Sequence, residues 1–217
     1  MNSPSDPAAR KGRDFVARHG ETVFNAARRM QGDAPHTPLT RAGFAQADEM
    51  GRALRAELGP RAALTLTLWS SPAGRALQTM AIVTDHLGLD WHQTRTDARL
   101  TEIGMGSWGG RPYADIVAEV GPVIDARGLL RPAPDGEQYH AIAERVSGWL
   151  ADTADDPGDR LVIMHGISSR VLRGVMTGAP VDRCGAPVLP GHPQGTVTVI
   201  ERGVERVVHL GTGHAPA

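Results

Sequence analysis

Apolar positions along the chain switch repeatedly between two periods, and the switching predicts alternating strands and helices. "DFVAR" (14–18) is a short apolar run of strand type. "TRAGFAQADEMGRALRAELG" (40–59) carries Phe44, Ala47, Met50, Leu54 and Leu58 at helical spacing, with Thr40 as cap and Gly59 as stop. "LTLTLW" (64–69) alternates with period two, and "PAGRALQTMAIVTDHLG" (72–88) returns to helical spacing behind a proline in its first turn. "HQTRT" (92–96) predicts a weak strand, and residues 101–111 are Gly-rich and irregular. "YADIVAEV" (113–120) and "EQYHAIAERVSGWLADTA" (137–154) predict helices. "RLVIMH" (160–165) holds an unbroken apolar run, the mark of a strand covered on both faces, and the helix "GISSRVLRGVMTG" (166–178) starts directly behind it. "TVTVIERGVERVVHL" (196–210) reads as two strands around Arg202–Gly203. This alternation predicts an α/β fold, a three-layer α/β/α sandwich around a mostly parallel central sheet. Residues 1–12 are expected as a disordered tail and 13–217 as one domain. The Gly- and Pro-rich stretch 121–136 is expected as a loop or lid, and residues 104–140 as a cover over the carboxyl edge of the sheet.

Composition narrows the class. The chain is 41% hydrophobic and 22% charged, with a formal net charge of -1, so nothing pulls it toward nucleic acid or a membrane surface. Its cations are Arg except for Lys11, and they are scattered rather than clustered. The one cysteine, Cys184, excludes an internal disulfide. No segment approaches the roughly 20 apolar residues of a membrane helix, and the first dozen residues lack a signal-peptide core. The expectation is a cytoplasmic protein.

The chemistry concentrates at three strand-to-helix turns. Arg18 and His19 follow the first strand, Ser70, Ser71 and Arg75 the second, and His165 and Gly166 the apolar run. If those strands are parallel neighbours, all three turns share the carboxyl edge of the sheet. Helix N-termini there present free amides to an anion, and arginine forks match phosphate oxygens. Walker loops, HExxH motifs and clustered carboxylates are missing, so a covalent nucleophile is needed, and neutral histidine can serve. A Gly-rich stretch with one carboxyl, Glu102, suits a mobile acid. His36, His86, His92, His140, His192, His209 and His214 show no metal spacing and read as surface or packing residues. Trp69, Trp91 and Trp149 read as core, whereas Trp108 could line a substrate mouth. Arg28 and Arg29 read evenly as a solvated face or as a site for a second acidic group.

"ARHGETVFNAARRMQG" (17–32) resembles the signature of the histidine phosphatase superfamily, the phosphoglycerate-mutase-like group. The resemblance continues through "TPLTRAGFAQA", "WSSPAGRALQTM", "LTEIGMGSWGG", "DGEQ" and "VIMHGISSRVL" and so covers nearly the whole chain. It implies His19 as nucleophile, Arg18, Arg75 and His165 as holders of the phosphoryl oxygens, and Glu102 as general acid and then base. It further implies phosphate or substrate contacts from Gly20, Asn25, Gln31, Gly32, Gly166 and Ile167. No metal and no cofactor are implied, the partner is a small-molecule phosphomonoester, and a homodimer is left open. The chain departs from the family pattern at His36, Gly109 and Gln138 and in "PQGT" (193–196), all expected near the pocket rim, so substrate identity stays open.

Three functions compete at this point. One is a phosphoric monoester hydrolase of histidine acid phosphatase type acting through phosphohistidine. The second is a phosphoglycerate mutase; mutases dependent on bisphosphoglycerate resemble the chain less, having longer insertions behind the acid. The third, a non-catalytic phospholigand-binding protein, is opposed by the intact set of Arg18, His19, Arg75, Glu102 and His165.

Overall fold

The computed structural model describes residues 12–62, 65–126 and 128–214. Apart from residue 12, the expected N-terminal tail lies outside them. Six strands form one sheet in the order β3-β2-β4-β1-β5-β6. They are β1 (Asp14–Arg18), β2 (Thr67–Ser70), β3 (Arg95–Thr96), β4 (Arg160–Met164), β5 (Val197–Glu201) and β6 (Val204–His209). The helices are α1 (Val23–Ala26), α2 (Arg41–Ala62), α3 (Gly74–Leu87), α4 (Tyr113–Val120), α5 (Tyr139–Asp152) and α6 (Gly166–Thr177). The four strands β3, β2, β4 and β1 run parallel, and β5 and β6 add an antiparallel hairpin beside β1.

Both faces of the sheet are covered, which is why β1 and β4 are buried along their whole length. Alternate side chains serve the two cores. Phe15, Ala17, Leu161 and Ile163 pack with Met50, Leu54 and Leu58 of α2 and Met80 and Val83 of α3. Val16, Val162 and Met164 pack on the opposite face with Ile142, Val146 and Trp149 of α5 and Val171 and Leu172 of α6. The expected three-layer sandwich is therefore present.

Local departures have local causes. Gly59 sits at φ 66 inside α2, so the predicted stop is a kink at which one helical run gives way to another. The strand expected over 92–96 shrinks to β3, because the Asp90 side chain accepts the His92 amide at 2.9 Å and caps a 3₁₀ turn over Trp91–Gln93. Phe44, at helical spacing with the buried positions of α2, is nevertheless 45% exposed. Trp91, on the 3₁₀ turn, is 39% exposed rather than core.

The expected cover is no loose lid. Met105, Trp108, Ile116, Val123, Leu129, Leu130 and Ala133 are all buried and extend the core on the α5–α6 side of the sheet. Trp108, only 4% exposed, belongs to that core and does not line a mouth.

Candidate functional site

The parallel register aligns the ends of the central strands. Arg18 pairs with Met164 and Ser70 with Ile163, so Arg18, His19, Ser71 and His165 emerge side by side at the carboxyl edge. Close approach of backbone fixes the first turn: a Cβ on Gly20 would lie 2.3 Å from the Gly43 carbonyl oxygen of α2.

His19 is buried, and its Nδ1 lies 2.6 Å from the Gly20 carbonyl oxygen. A carbonyl only accepts, so Nδ1 carries the proton and Nε2 keeps its lone pair. Burial, and then the Arg75 and Arg18 charges, hold the imidazole well below its usual pKa of 6.5, so it stays neutral. The result is an oriented, unprotonated ring nitrogen within electrostatic reach of two guanidinium groups.

Those guanidinium groups are held by main-chain oxygens. Arg18 Nη1 donates to the carbonyls of His192 (2.7 Å) and His214 (3.0 Å). Its buried Nε has no partner within the described residues, a donor left for an incoming acceptor. Arg75, at the start of α3, donates to the Ala34 carbonyl (2.6 Å), the Thr37 hydroxyl (3.0 Å), the Gly32 carbonyl (2.7 Å) and His165 Nδ1 (3.1 Å). Burial lowers both arginines to a pKa of about 10, against the opposing pull of the Glu102 charge. They remain cationic at neutral pH.

His165 caps α6 and meets His19 edge-on, with ring centroids 5.2 Å apart. Its Nε2 lies 2.8 Å from the Ser71 hydroxyl oxygen. Both ring nitrogens are thus engaged by the protein, and a bond from His165 to a phosphoryl oxygen requires the ring to turn or Ser71 to yield. Burial is the first cause, and the charges of Arg75 and its neighbours the second, of a pKa well below normal.

Glu102 reaches the N-terminus of α6. Its Oε1 accepts from the amides of Ser168 (2.8 Å) and Ile103 (3.0 Å), and its Oε2 from Ile167 (3.0 Å). The positive end of the helix thereby faces a carboxylate. The Ile167 amide, expected on phosphate, is in this arrangement held by Glu102, while Gly166 opens the helix beside it.

The expected rim residues divide. The Gly20 amide donates to Thr79 (3.1 Å), so it is spent on positioning His19. Gly32, at φ 50, turns its carbonyl onto Arg75 and leaves no room for a side chain against Met105. Asn25 and Gln31 both meet the Thr22 hydroxyl, Asn25 within a capping box that starts α1. Arg28, with its left-handed φ of 50, lies exposed in the turn that follows α1, and Arg29, also exposed, bridges Pro112. Among the described residues no group of three or more His, Cys, Asp or Glu could hold a metal ion, and no helix is long and apolar enough to cross a membrane.

Sequence reasoning missed the carbonyls of His192, His214, Ala34 and Gly32 that grip the arginines. It also missed Glu137 and Arg145, which flank Glu102. Main-chain acceptors leave no trace in residue identity, and in sequence Glu137, just before α5, and Arg145, midway along it, look like ordinary surface charges.

The sequence pattern of the histidine phosphatase superfamily (branch 1) matches residues 15–211. A probable phosphoglycerate mutase GpmB of Citrobacter koseri is 33% identical over 177 residues, which span 76% of this chain and 75% of that protein. A mycobacterial glucosyl-3-phosphoglycerate phosphatase solved with VO3 superposes with a TM-score of 0.73 at 26% identity, covering 94% of this chain and 100% of the other. Bacillus stearothermophilus YhfR superposes with a TM-score of 0.70 at 27% identity, over 90% of this chain and 95% of that one.

Proposed function

The chain belongs to the histidine phosphatase superfamily, and from that premise we propose that it is a phosphomonoesterase that hydrolyses a small phosphorylated metabolite through phosphohistidine. The observation that carries this reading is the bond from His19 Nδ1 to the Gly20 carbonyl, which leaves Nε2 unprotonated within reach of the Arg75 and Arg18 charges. In the first step Nε2 attacks phosphorus, the phosphorus–oxygen ester bond breaks, and Glu102 gives a proton to the departing oxygen. Arg18 and Arg75 spread the charge of the transferring group, the task a metal ion performs elsewhere. In the second step Glu102 takes a proton from water, the hydroxide oxygen bonds to phosphorus, and His19 leaves with its lone pair restored. The reaction needs no metal and no cofactor.

The names of the relatives favour a second reading. The curated relatives are named phosphoglycerate mutases, and a structural neighbour acts on glucosyl-3-phosphoglycerate. In a mutase the same phosphohistidine would pass its group to a second hydroxyl rather than to water. Phosphate release is measured over a panel of phosphorylated metabolites, with and without bisphosphoglycerate. Release that is indifferent to bisphosphoglycerate and to excess chelator supports the phosphatase. Isomerisation of phosphoglycerate without release supports the mutase, and turnover of nothing leaves only phospholigand binding.

A further inference from the structure

Glu102 sits on an irregular stretch, and what fixes that stretch lies outside the phosphate pocket. Arg145, on α5, donates from Nη1 to the Arg99 carbonyl and from Nη2 to the Glu102 carbonyl at 3.4 Å. The same guanidinium forks onto Glu137, with Nε to Oε1 at 2.7 Å and Nη2 to Oε2 at 3.1 Å. Glu137 in turn grips Gly104 at both main-chain groups: its Oε2 accepts the Gly104 amide at 3.1 Å, and its own amide donates to the Gly104 carbonyl at 2.8 Å. The main chain is therefore tied before Glu102, at it, and two residues after it. The strands of this clasp are packed closely enough that a Cβ on Gly136 would come within 2.7 Å of the Gly104 oxygen. Both side chains are mostly buried, at 17% and 22% exposure, so the pair is screened less than a surface pair. The Arg145 charge is also felt at His165, which puts the clasp within electrostatic reach of the pocket.

We propose that Glu137 and Arg145 are positioning residues that hold the Glu102 carboxyl group at the reacting ester oxygen. Neither touches the phosphoryl group; each acts through the main chain that carries the acid. The proposal rests on Glu102 being the general acid. An acid held a fraction of an ångström off line loses much of its effect, whereas a substrate whose leaving group needs no proton is indifferent to it.

The test compares kcat/KM on 3-phosphoglycerate, an alkyl ester, with 4-nitrophenyl phosphate, whose phenolate leaves unaided. Glu102→Gln is expected to lose roughly 10²–10⁴-fold on the alkyl ester and much less on the nitrophenyl ester. Arg145→Met and Glu137→Gln are expected to shift the ratio of the two in the same direction by about tenfold, as a partial loss of the same acid catalysis. Arg145→Lys should recover part of the shift, and Arg145→Met should add nothing to the ratio in a Glu102→Gln background. A general loss of folded enzyme lowers both substrates alike and leaves the ratio unmoved. Equal losses from Arg145→Met, beside a discriminating Glu102→Gln, overturn the clasp. A Glu102→Gln that fails to discriminate overturns the acid reading instead. Independently of kinetics, Arg145→Met should speed amide hydrogen exchange over residues 99–104, and unchanged exchange there overturns the clasp.

Discussion

Arg75 Nε and His165 Nδ1 stand 3.1 Å apart, and this contact decides the tautomer of the imidazole. A guanidinium only donates, so Nδ1 is the acceptor and Nε2 carries the hydrogen that faces Ser71. One residue of α3 thus orients the histidine at the head of α6 while its other nitrogens bind the carbonyls of Gly32 and Ala34. Lysine keeps the charge but cannot serve four directions at once. Arg75→Lys is expected to lower kcat/KM by about 10²–10³-fold, the usual effect of removing a preorganised donor. It is also expected to cost roughly 1–3 kcal/mol of stability through unpaired buried acceptors. Steady-state kinetics together with urea unfolding measure the two effects, and wild-type values for both would show the fork to be idle.

His19 should carry the phosphoryl group. Rapid acid quench during turnover of a ³²P-labelled substrate should trap an acid-labile phosphoenzyme, and peptide mapping should place the label on His19. His19→Ala should abolish turnover with the far-UV spectrum unchanged. Label on His165 would mean that the two strand-end histidines exchange roles, which their common setting between strand and helix makes a real alternative.

The glycine of "RHG" owes its place to packing. A Cβ at Gly20 would lie 2.3 Å from the Gly43 oxygen, and one at Gly43 would lie 2.0 Å from the Glu21 oxygen. Backbone, unlike the end of a flexible side chain, cannot step aside. Gly43→Ala, remote from the chemistry in sequence, is therefore expected to destabilise the fold by about 1–3 kcal/mol, as overpacking does. Activity should fall with it, because α2 braces the turn that carries His19. An unfolding midpoint equal to wild type would refute the close approach.

The meeting of Arg18, His19, Ser71 and His165 at one sheet edge was legible because these residues end strands that betray themselves. "DFVAR" and "RLVIMH" are apolar runs, and each stops at a charged or ionisable side chain. The sandwich was legible for the same reason, since strands and helices alternate with distinct periods. What could not be read is whatever depends on chain groups brought from far away. The grip on Arg18 comes from carbonyls 174 and 196 residues along the chain, and a carbonyl belongs to every residue type. Residues 105–133 misled in the other direction. Their apolar side chains, Met105, Trp108, Val123, Leu129 and Leu130, are spaced by Gly and Pro without period, so they read as a lid although they are core.

The two buried imidazoles make a joint prediction about pH. In the folded chain His19 and His165 both have pKa values well below 6.5, chiefly from burial and then from neighbouring arginines. In the unfolded chain they take up protons near the ordinary value of about 6.5. The unfolded state therefore binds more protons below that value, and linkage makes stability rise with pH there. The stabilising contribution is complete above about pH 6.5 and is lost as pH falls from 6.5 toward the depressed folded values. Each histidine contributes a slope of at most about 1.4 kcal/mol per pH unit. Urea midpoints taken at intervals below pH 6.5 should fall steeply in wild type and less steeply in His19→Gln. The activity profile should follow the same displacement: the acid limb of kcat/KM, which reports loss of the Nε2 lone pair in free enzyme, should lie below pH 6.5 rather than at it. A limb centred at 6.5, or a variant whose midpoints fall in parallel with wild type, would mean that His19 titrates as it does in water, and the neutral nucleophile would lose its physical basis.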